Sequence, residues 1–180
     1  MFDKFAEGAR RAVVRAGILA LDAGRPALDA DLMLLGLAEV RPFTLRTFTA
    51  TAAAAVRERV DTNDSRTLLA TLGIDLDRVH RSTRSGTDDP RAWSLRRTPA
   101  RPLRVVLYGP LGQLPLAMHA RKAVEVAVWR GSGRPATGED LLWGLLADHA
   151  NGAARILTDA GVDLRELVRE LRGSDARRSA

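Results

Sequence analysis

The sequence predicts an all-α protein in which two tandem copies of a four-helix unit form one pseudo-twofold bundle. Three blocks of sequence occur twice in the same order, apolar residues recur at helical spacing, and the blocks are bounded by turn residues. We place copy one at residues 1–81, a linker at 82–116, copy two at 117–172 and a disordered tail at 173–180.

The first block predicts the opening helix of each copy. The string ARRAV at residues 9–13 recurs as ARKAV at residues 120–124. A spacing of four, seven and eight residues places apolar side chains on one face of a helix. In copy one this face consists of Phe5, Ala9, Ala12, Val13, Ala16 and Ala20.

The second block predicts a helix buried between others, because it is apolar almost all the way round. The string LMLLGL at residues 32–37 recurs as LLWGL at 141–145, which aligns Gly36 with Gly144. Asp29 is the predicted N-cap in copy one. In copy two, Thr137 and Asp140 stand at the spacing of a capping box.

The third block predicts a helix that stops and a fourth helix that starts at once. The string LLATLGIDL at residues 68–76 recurs as ILTDAGVDL at 156–164. Gly73 and Gly161 can adopt the left-handed conformation that ends a helix, and Asp75 and Asp163 follow as N-caps.

Two segments lie outside the repeat. The insertion at residues 43–63 in copy one predicts an extra amphipathic helix over residues 44–60, either a packing element or a surface for a partner. The linker is rich in Pro, Gly, Ser and Arg. Within it, residues 93–97 and 103–108 are compatible with a short β-hairpin around the turn at residues 99–102.

Composition and motifs indicate a binding protein and not an enzyme. The 180 residues include no Cys, no P-loop and no His-Glu-x-x-His, and the three histidines are far apart in sequence. No catalytic residue, cofactor or metal site is therefore expected, and no stretch is apolar enough to span a membrane, so we expect a cytoplasmic protein. The net charge of +6 leaves a basic nucleic-acid-binding protein as an alternative, although the arginines are spread along the chain.

The opening string MFDKFAEGARRAV, with DADLMLLGL at residues 29–37 and TGEDLLWGL at 137–145, resembles the N-terminal domain of ClpC and related Clp unfoldases. The resemblance covers most of the chain apart from the insertion and the linker. It implies a Clp repeat domain that binds adaptors or substrate peptides, here as a stand-alone homologue without the AAA+ ATPase module. The expected partners are Clp unfoldase or protease components, adaptors and substrate peptides.

The resemblance also implies two kinds of site. The first is the face that binds cyclic peptide antibiotics in ClpC relatives. It corresponds here to Phe2, Arg10, Val13, Leu116, Arg121, Lys122 and Glu125. A decoy that sequesters such peptides is therefore an alternative function. Phe2 has a second interpretation as a cap on the bundle, and Arg10 and Glu125 have one as ordinary solvated residues.

The second implied site is the pair of acidic positions, Asp31 and Glu139, that grip phosphoarginine in the family. The threonines that accompany them there are replaced by Ala6, Ala30, Ala117 and Gly138. Loss of these hydroxyls removes charge-assisted hydrogen bonds to phosphate. We therefore do not expect phosphoarginine binding.

Overall fold

The computed structural model describes residues 1–60, 87–98, 104–131 and 133–178, the last four without their side chains. Within these ranges there are seven α-helices and one three-stranded sheet. The helices are α1 (Glu7–Asp22), α2 (Ala30–Val40), α3 (Ala50–Arg59), α4 (Met118–Gly131), α5 (Gly138–Leu146), α6 (Ala153–Asp159) and α7 (Leu164–Arg178). The strands are β1 (Ser94–Thr98), β2 (Arg104–Gly109) and β3 (Gly112–Pro115), and short 3₁₀ turns lie at Phe2–Lys4 and Pro90–Ala92.

The sheet makes the fold mixed α and β, so the prediction of an all-α protein was wrong. The antiparallel pair β1–β2 lies where the sequence was compatible with a hairpin, and Thr98 is paired with Arg104. The third strand was not predicted. It follows β2 through a two-residue turn closed by the pair Gly109 and Gly112, and Gly112 has a φ of 127° that favours glycine.

The sheet is held against α1 by its apolar face. Leu95, Leu107 and Leu114 lie on this inner face, and each is at most 2% exposed. A Cβ built on Gly17 of α1 would lie 2.3 Å from Leu107 Cδ2, so the helix meets the sheet at a glycine. The linker is therefore part of the hydrophobic core.

The first two helices of each copy cross in the same way. A Cβ on Gly36 of α2 would lie 2.5 Å from the carbonyl oxygen of Ala12 in α1. A Cβ on Gly144 of α5 would lie 2.3 Å from the carbonyl oxygen of Ala123 in α4. The two glycines and the two alanines are the residues that the sequence repeat aligns, so the repeat describes a shared helix crossing.

Two isolated β-bridges join the two copies, and each bridge pairs a residue of copy one with a residue of copy two. Phe5 bridges to Ala136 and Leu28 bridges to Leu116, each through two hydrogen bonds of 2.7–2.9 Å between flanking groups. Phe5 is aligned with Leu116, and Leu28 with Ala136. The opening segment of each copy thus pairs with the segment before the second helix of the other copy, which is the pattern of a pseudo-twofold axis.

The second copy contains the predicted stop and restart between its third and fourth helices. Gly161 has a φ of 81°, and the amide of Val162 donates to the carbonyl of Leu157 at 3.0 Å. Asp163 Oδ1 then accepts from the amides of Arg165 and Glu166 at 2.8 and 3.1 Å. The helix continues past Gly173 to Arg178, within the segment that the sequence predicted to be a disordered tail.

In copy one, the predicted extra helix is present as α3. It begins at Ala50 and not at residue 44, because Thr49 caps it by accepting from the amide of Ala52 at 3.1 Å. Helix α3 packs against α2 and α6, which favours the packing interpretation of the insertion. The third block of copy one, with Gly73, Asp75 and the nearby His80, lies outside the described residues.

Candidate functional site

The residues matched to the cyclic-peptide face divide into a buried and an accessible group. The apolar members belong to the core: Val13 is 0% exposed, Phe2 7% and Leu116 8%. The ring of Phe2 packs edge-on against Phe5 with 6.3 Å between centroids. Phe2 therefore caps the bundle, in agreement with its second interpretation.

The polar members of this face already have intramolecular partners. Arg10 Nε donates to the carbonyl of Phe5 at 2.9 Å, and Arg121 is half-buried. Lys122 Nζ lies 3.5 Å from Asp148 Oδ2, and Glu125 Oε1 lies 3.4 Å from a guanidinium nitrogen of Arg97. Lys122 and Glu125 nevertheless remain accessible, with 57% and 32% of their side chains exposed.

Strand β1 lies across part of the same face. It contacts the 3₁₀ turn Phe2–Lys4, and its Arg97 is the partner of Glu125 on α4. A cyclic peptide bound here would have to displace a strand whose inner face is buried. The linker therefore covers part of the face that the resemblance matches to cyclic-peptide binding.

The acidic position of copy one, Asp31, lies in the first turn of α2. It faces the start of α6, since a Cβ on Gly152 would lie 3.3 Å from Asp31 Oδ1. Burial, and secondly the charge of Asp29, raise the pKa of Asp31 above its ordinary value, while Arg25 and His119 oppose this. The carboxylate of copy one is therefore poorly compensated.

A second carboxylate, Asp148, lies beside the same helix start. His119 Nδ1 is 2.8 Å from Asp148 Oδ2, and Lys122 approaches the same oxygen. The hydrogen bond with His119 is the main reason that the pKa of Asp148 lies below its ordinary value. This contact could not be predicted from the sequence, because His119 and Asp148 are 29 positions apart.

The acidic position of copy two, Glu139, lies at a cleft of about 580 Å³. Its side chain is only 5% exposed. Besides Glu139, the cleft is lined by Thr44, Leu45, Arg46, Glu166, Glu170 and Ser174. Three carboxylates from two helices of copy two thus face a loop of copy one.

The loop is fixed to α7 by Glu170. This carboxylate accepts hydrogen bonds from Thr47 Oγ1 at 2.7 Å, from the Thr47 amide at 3.1 Å and from the Arg46 amide at 3.2 Å. Burial would raise the pKa of Glu170, but these hydrogen bonds outweigh burial and lower it. Glu166 and Glu170 were missed at the sequence level, although their spacing of four residues places them on one face of α7.

The start of α5 has no room for a threonine at the position before Glu139, where the Clp N-terminal domains that the sequence resembles carry one. A Cβ on Gly138 would lie 2.5 Å from Pro42 Cγ and 2.7 Å from the Pro42 carbonyl oxygen. The corresponding Ala30 in copy one is 4% exposed. A threonine side chain therefore cannot be added next to Glu139 without moving Pro42.

Among residues 1–60, 87–98, 104–131 and 133–178, no group of three His, Asp or Glu side chains could hold a metal ion. Within the same ranges, no helix combines the length and the hydrophobicity that crossing a bilayer requires. Comparison of the chain with protein-family models and with curated protein sequences finds no match to either.

Proposed function

We propose that this chain is a non-catalytic, cytoplasmic polypeptide-binding module of the ClpC N-terminal-domain type that modulates the Clp protease system. The observation that supports this best is the exchange of backbone pairs between the copies, Phe5 with Ala136 and Leu28 with Leu116. It gives a physical basis to the sequence repeat on which the resemblance rests. The match of Gly36 and Gly144 at the two helix crossings supports the same conclusion.

The cleft beside Glu139 is the proposed binding site for a basic side chain of the polypeptide. Its volume of about 580 Å³ is within the range of ligand pockets. Glu139 and Glu166 line the cleft, where an incoming guanidinium would compete with Arg169 for Glu166, and Leu45 supplies apolar surface for an aliphatic stem. An arginine guanidinium pairs with carboxylates in a planar, two-pronged geometry, so arginine is the preferred occupant over lysine.

The alternative of a decoy for cyclic peptides is less well supported. Its apolar contact residues, Phe2, Val13 and Leu116, are buried, and β1 lies against Phe2–Lys4. Binding would require the sheet to leave α1, which exposes the inner leucines. Burial of one leucine side chain contributes roughly 1.5–3 kcal/mol, so this opening is costly.

Calorimetric titration with a short capped peptide that carries one central arginine tests the cleft. We expect saturable binding, lost when citrulline replaces arginine, because citrulline keeps the shape without the charge. Glu139→Gln should weaken binding about 10–100-fold, since hydrogen bonds to charged groups contribute roughly 1.5–3 kcal/mol. The control is Glu7→Gln, at an exposed position on α1, which should leave affinity unchanged. Equal binding of the arginine and citrulline peptides would exclude this site.

A separate assay tests the link to the Clp system. The purified chain is added to a reconstituted ClpC–ClpP reaction that degrades an unfolded model substrate. We expect the degradation rate to change with the concentration of the chain, and we expect Clp components among proteins captured from extract. An unchanged rate together with no captured Clp component would remove the Clp assignment, whatever the peptide titration gives.

A further inference from the structure

The two most exposed large apolar side chains among the described residues lie on one helix. Met118 is 60% exposed and Trp129 is 79% exposed, and both belong to α4. Between them lie Lys122, 57% exposed, and Glu125, 32% exposed. At 100° per residue these four side chains fall within an arc of about 60°, along roughly 16 Å of helix. We call them the α4 stripe.

The α4 stripe is symmetric about a point midway between Ala123 and Val124. Met118 and Trp129 are equidistant from this point, and so are Lys122 and Glu125. Two copies of α4 packed antiparallel around a twofold axis there would place Met118 against the partner's Trp129. The same axis would place Lys122 against the partner's Glu125. Apolar pairs at both ends and ion pairs in the middle make the surface self-complementary.

We propose that the α4 stripe is the contact surface for a second copy of this chain in an antiparallel, twofold dimer. A twofold interface uses the same patch on both subunits, which is what this charge pattern provides. A different protein would need a complementary patch of its own, whereas the second copy carries it already. The proposal does not depend on the cleft at Glu139 or on the Clp assignment.

The present partners of the two charged residues do not prevent this arrangement. Lys122 lies 3.5 Å from Asp148, and Glu125 lies 3.4 Å from Arg97. The pair of Glu125 with Arg97 is exposed and contributes little to stability, and the buried Asp148 keeps its partner His119 when Lys122 turns to a second copy. Aromatic and Met side chains are enriched at protein interfaces, and burial of Trp129 supplies the main apolar gain.

The dimer should be weak. A single pair of helices covers less surface than the roughly 800 Å² per partner of a standard stable interface. We therefore expect a dissociation constant in the micromolar range or weaker. Self-association then depends on concentration, and the chain is largely monomeric when dilute.

Sedimentation velocity over a concentration series up to about 1 mM tests the proposal on the full chain. We expect a reversible shift from monomer to dimer. Trp129→Glu should weaken association at least about tenfold, because it removes an anchor at the interface. Leu111→Glu is the matched control, because Leu111 is also exposed, at 38%, but lies off α4. A chain that stays monomeric throughout, or a dimer that Trp129→Glu leaves intact, overturns the proposal.

A charge exchange identifies the geometry of the dimer. Lys122→Glu alone and Glu125→Lys alone should each fail to associate, because each places like charges across the axis. An equimolar mixture of these two variants should associate, since the two glutamates of one variant then face the two lysines of the other. Circular dichroism melting confirms that both variants are folded. A mixture that stays monomeric while the unaltered chain dimerises rejects the antiparallel register.

Discussion

The two copies begin their second helix with different chemistry on the same backbone frame. In copy one, Asp29 caps α2 by accepting from the amide of Leu32 at 2.9 Å, and the next acid, Asp31, has a raised pKa. In copy two, Asp140 accepts from the amide of Thr137 at 2.8 Å and from Arg134 at 2.7 Å. The first turn of the second helix thus holds a poorly compensated carboxylate in copy one and, one aligned position later, a fully bound carboxylate in copy two.

The network around Asp140 ties copy two together. Asp140 is 1% exposed, and Arg130 Nε lies 3.2 Å from its second oxygen. The guanidinium of Arg130 also lies 4.1 Å from the ring centroid of Trp143 and donates to the carbonyl of Leu171 at 3.0 Å. Helices α4, α5 and α7 therefore meet at one ion-pair network, which stabilises the wall that carries Glu139.

The two copies thus share a backbone frame and differ in the side chains at the start of the second helix. The shared glycine crossings and exchanged bridges keep the helices in place in both copies. In copy two, Asp140 at the start of α5 stabilises the fold through its bonds to Arg134 and Thr137. In copy one, burial raises the pKa of Asp31, and a carboxylate with a pKa perturbed in this way is a candidate for function.

Breaking the Asp140 network should destabilise the fold more than any other change considered. Asp140→Ala leaves Arg130 and Arg134 partly buried without their carboxylate, so we expect a loss of about 3–5 kcal/mol in the free energy of unfolding. Urea denaturation measures it. The control is Asp163→Ala, a solvent-accessible N-cap on α7, which should cost about 1 kcal/mol. Similar losses for the two variants would refute the stabilising role of this network.

The same network predicts a dependence on pH. Burial would raise the pKa of Asp140, but the hydrogen bonds from Arg134 and Thr137 outweigh it and lower the pKa. Its stabilisation is therefore complete above the ordinary pKa of an aspartate and is lost as the pH falls through the lowered value. The difference between the parent chain and Asp140→Ala should accordingly shrink in strongly acidic solution.

A loss of stability of intermediate size is expected at the two helix crossings, and it tests whether the crossings are equivalent. Gly36→Ala and Gly144→Ala each place a methyl group within 2.5 Å of a backbone oxygen of the adjacent helix. Overpacking of this kind costs about 1–3 kcal/mol, and the two losses should agree to within about 1 kcal/mol. Thermal and urea unfolding of both variants provide the comparison. Tolerance of one substitution and not the other would show that the two crossings differ.

A small effect of the opposite sign is expected at Asp31. Because the folded state raises its pKa, the carboxylate destabilises the fold at neutral pH, and Asp31→Asn should raise Tm by about 1–3 °C. Below the ordinary pKa of aspartate the group is protonated in both states, so the gain should vanish in acid. Melting curves at about pH 7 and about pH 3 check the sign. A lower Tm in neutral solution would mean that the charge of Asp31 stabilises the fold.

Local signals in the sequence were sufficient for much of the helical framework. The capping residues Asp29 and Thr137 and the stop at Gly161 act on neighbouring residues, so their effects can be read from short strings. The sheet depends on distant contacts. Strand β2 is stabilised by Leu107, which packs on Gly17, a residue far earlier in the chain. A contact between such distant residues cannot be predicted from the local spacing of apolar residues.

The candidate sites were harder to predict for the same reason. Phe2 could be either a surface anchor or a cap on the bundle, and its burial depends on a distant strand, because β1 contacts the turn that carries it. The cleft at Glu139 exists because Glu170 holds the loop at Thr47, which lies 123 residues away in sequence. The resemblance pointed to one acid of the cleft, Glu139, whereas the other two, Glu166 and Glu170, are brought there by tertiary packing.

Amide hydrogen exchange by NMR gives the sharpest test of the duplicated frame. The amides of Ala6 and Ala136 form one bridge, and those of Leu28 and Ala117 form the other. We predict that all four exchange slowly, with protection factors that agree to within about tenfold, because a pseudo-twofold axis places them in equivalent surroundings. Slow exchange in one bridge and the rate of an exposed amide in the other would show that the two copies do not share one frame.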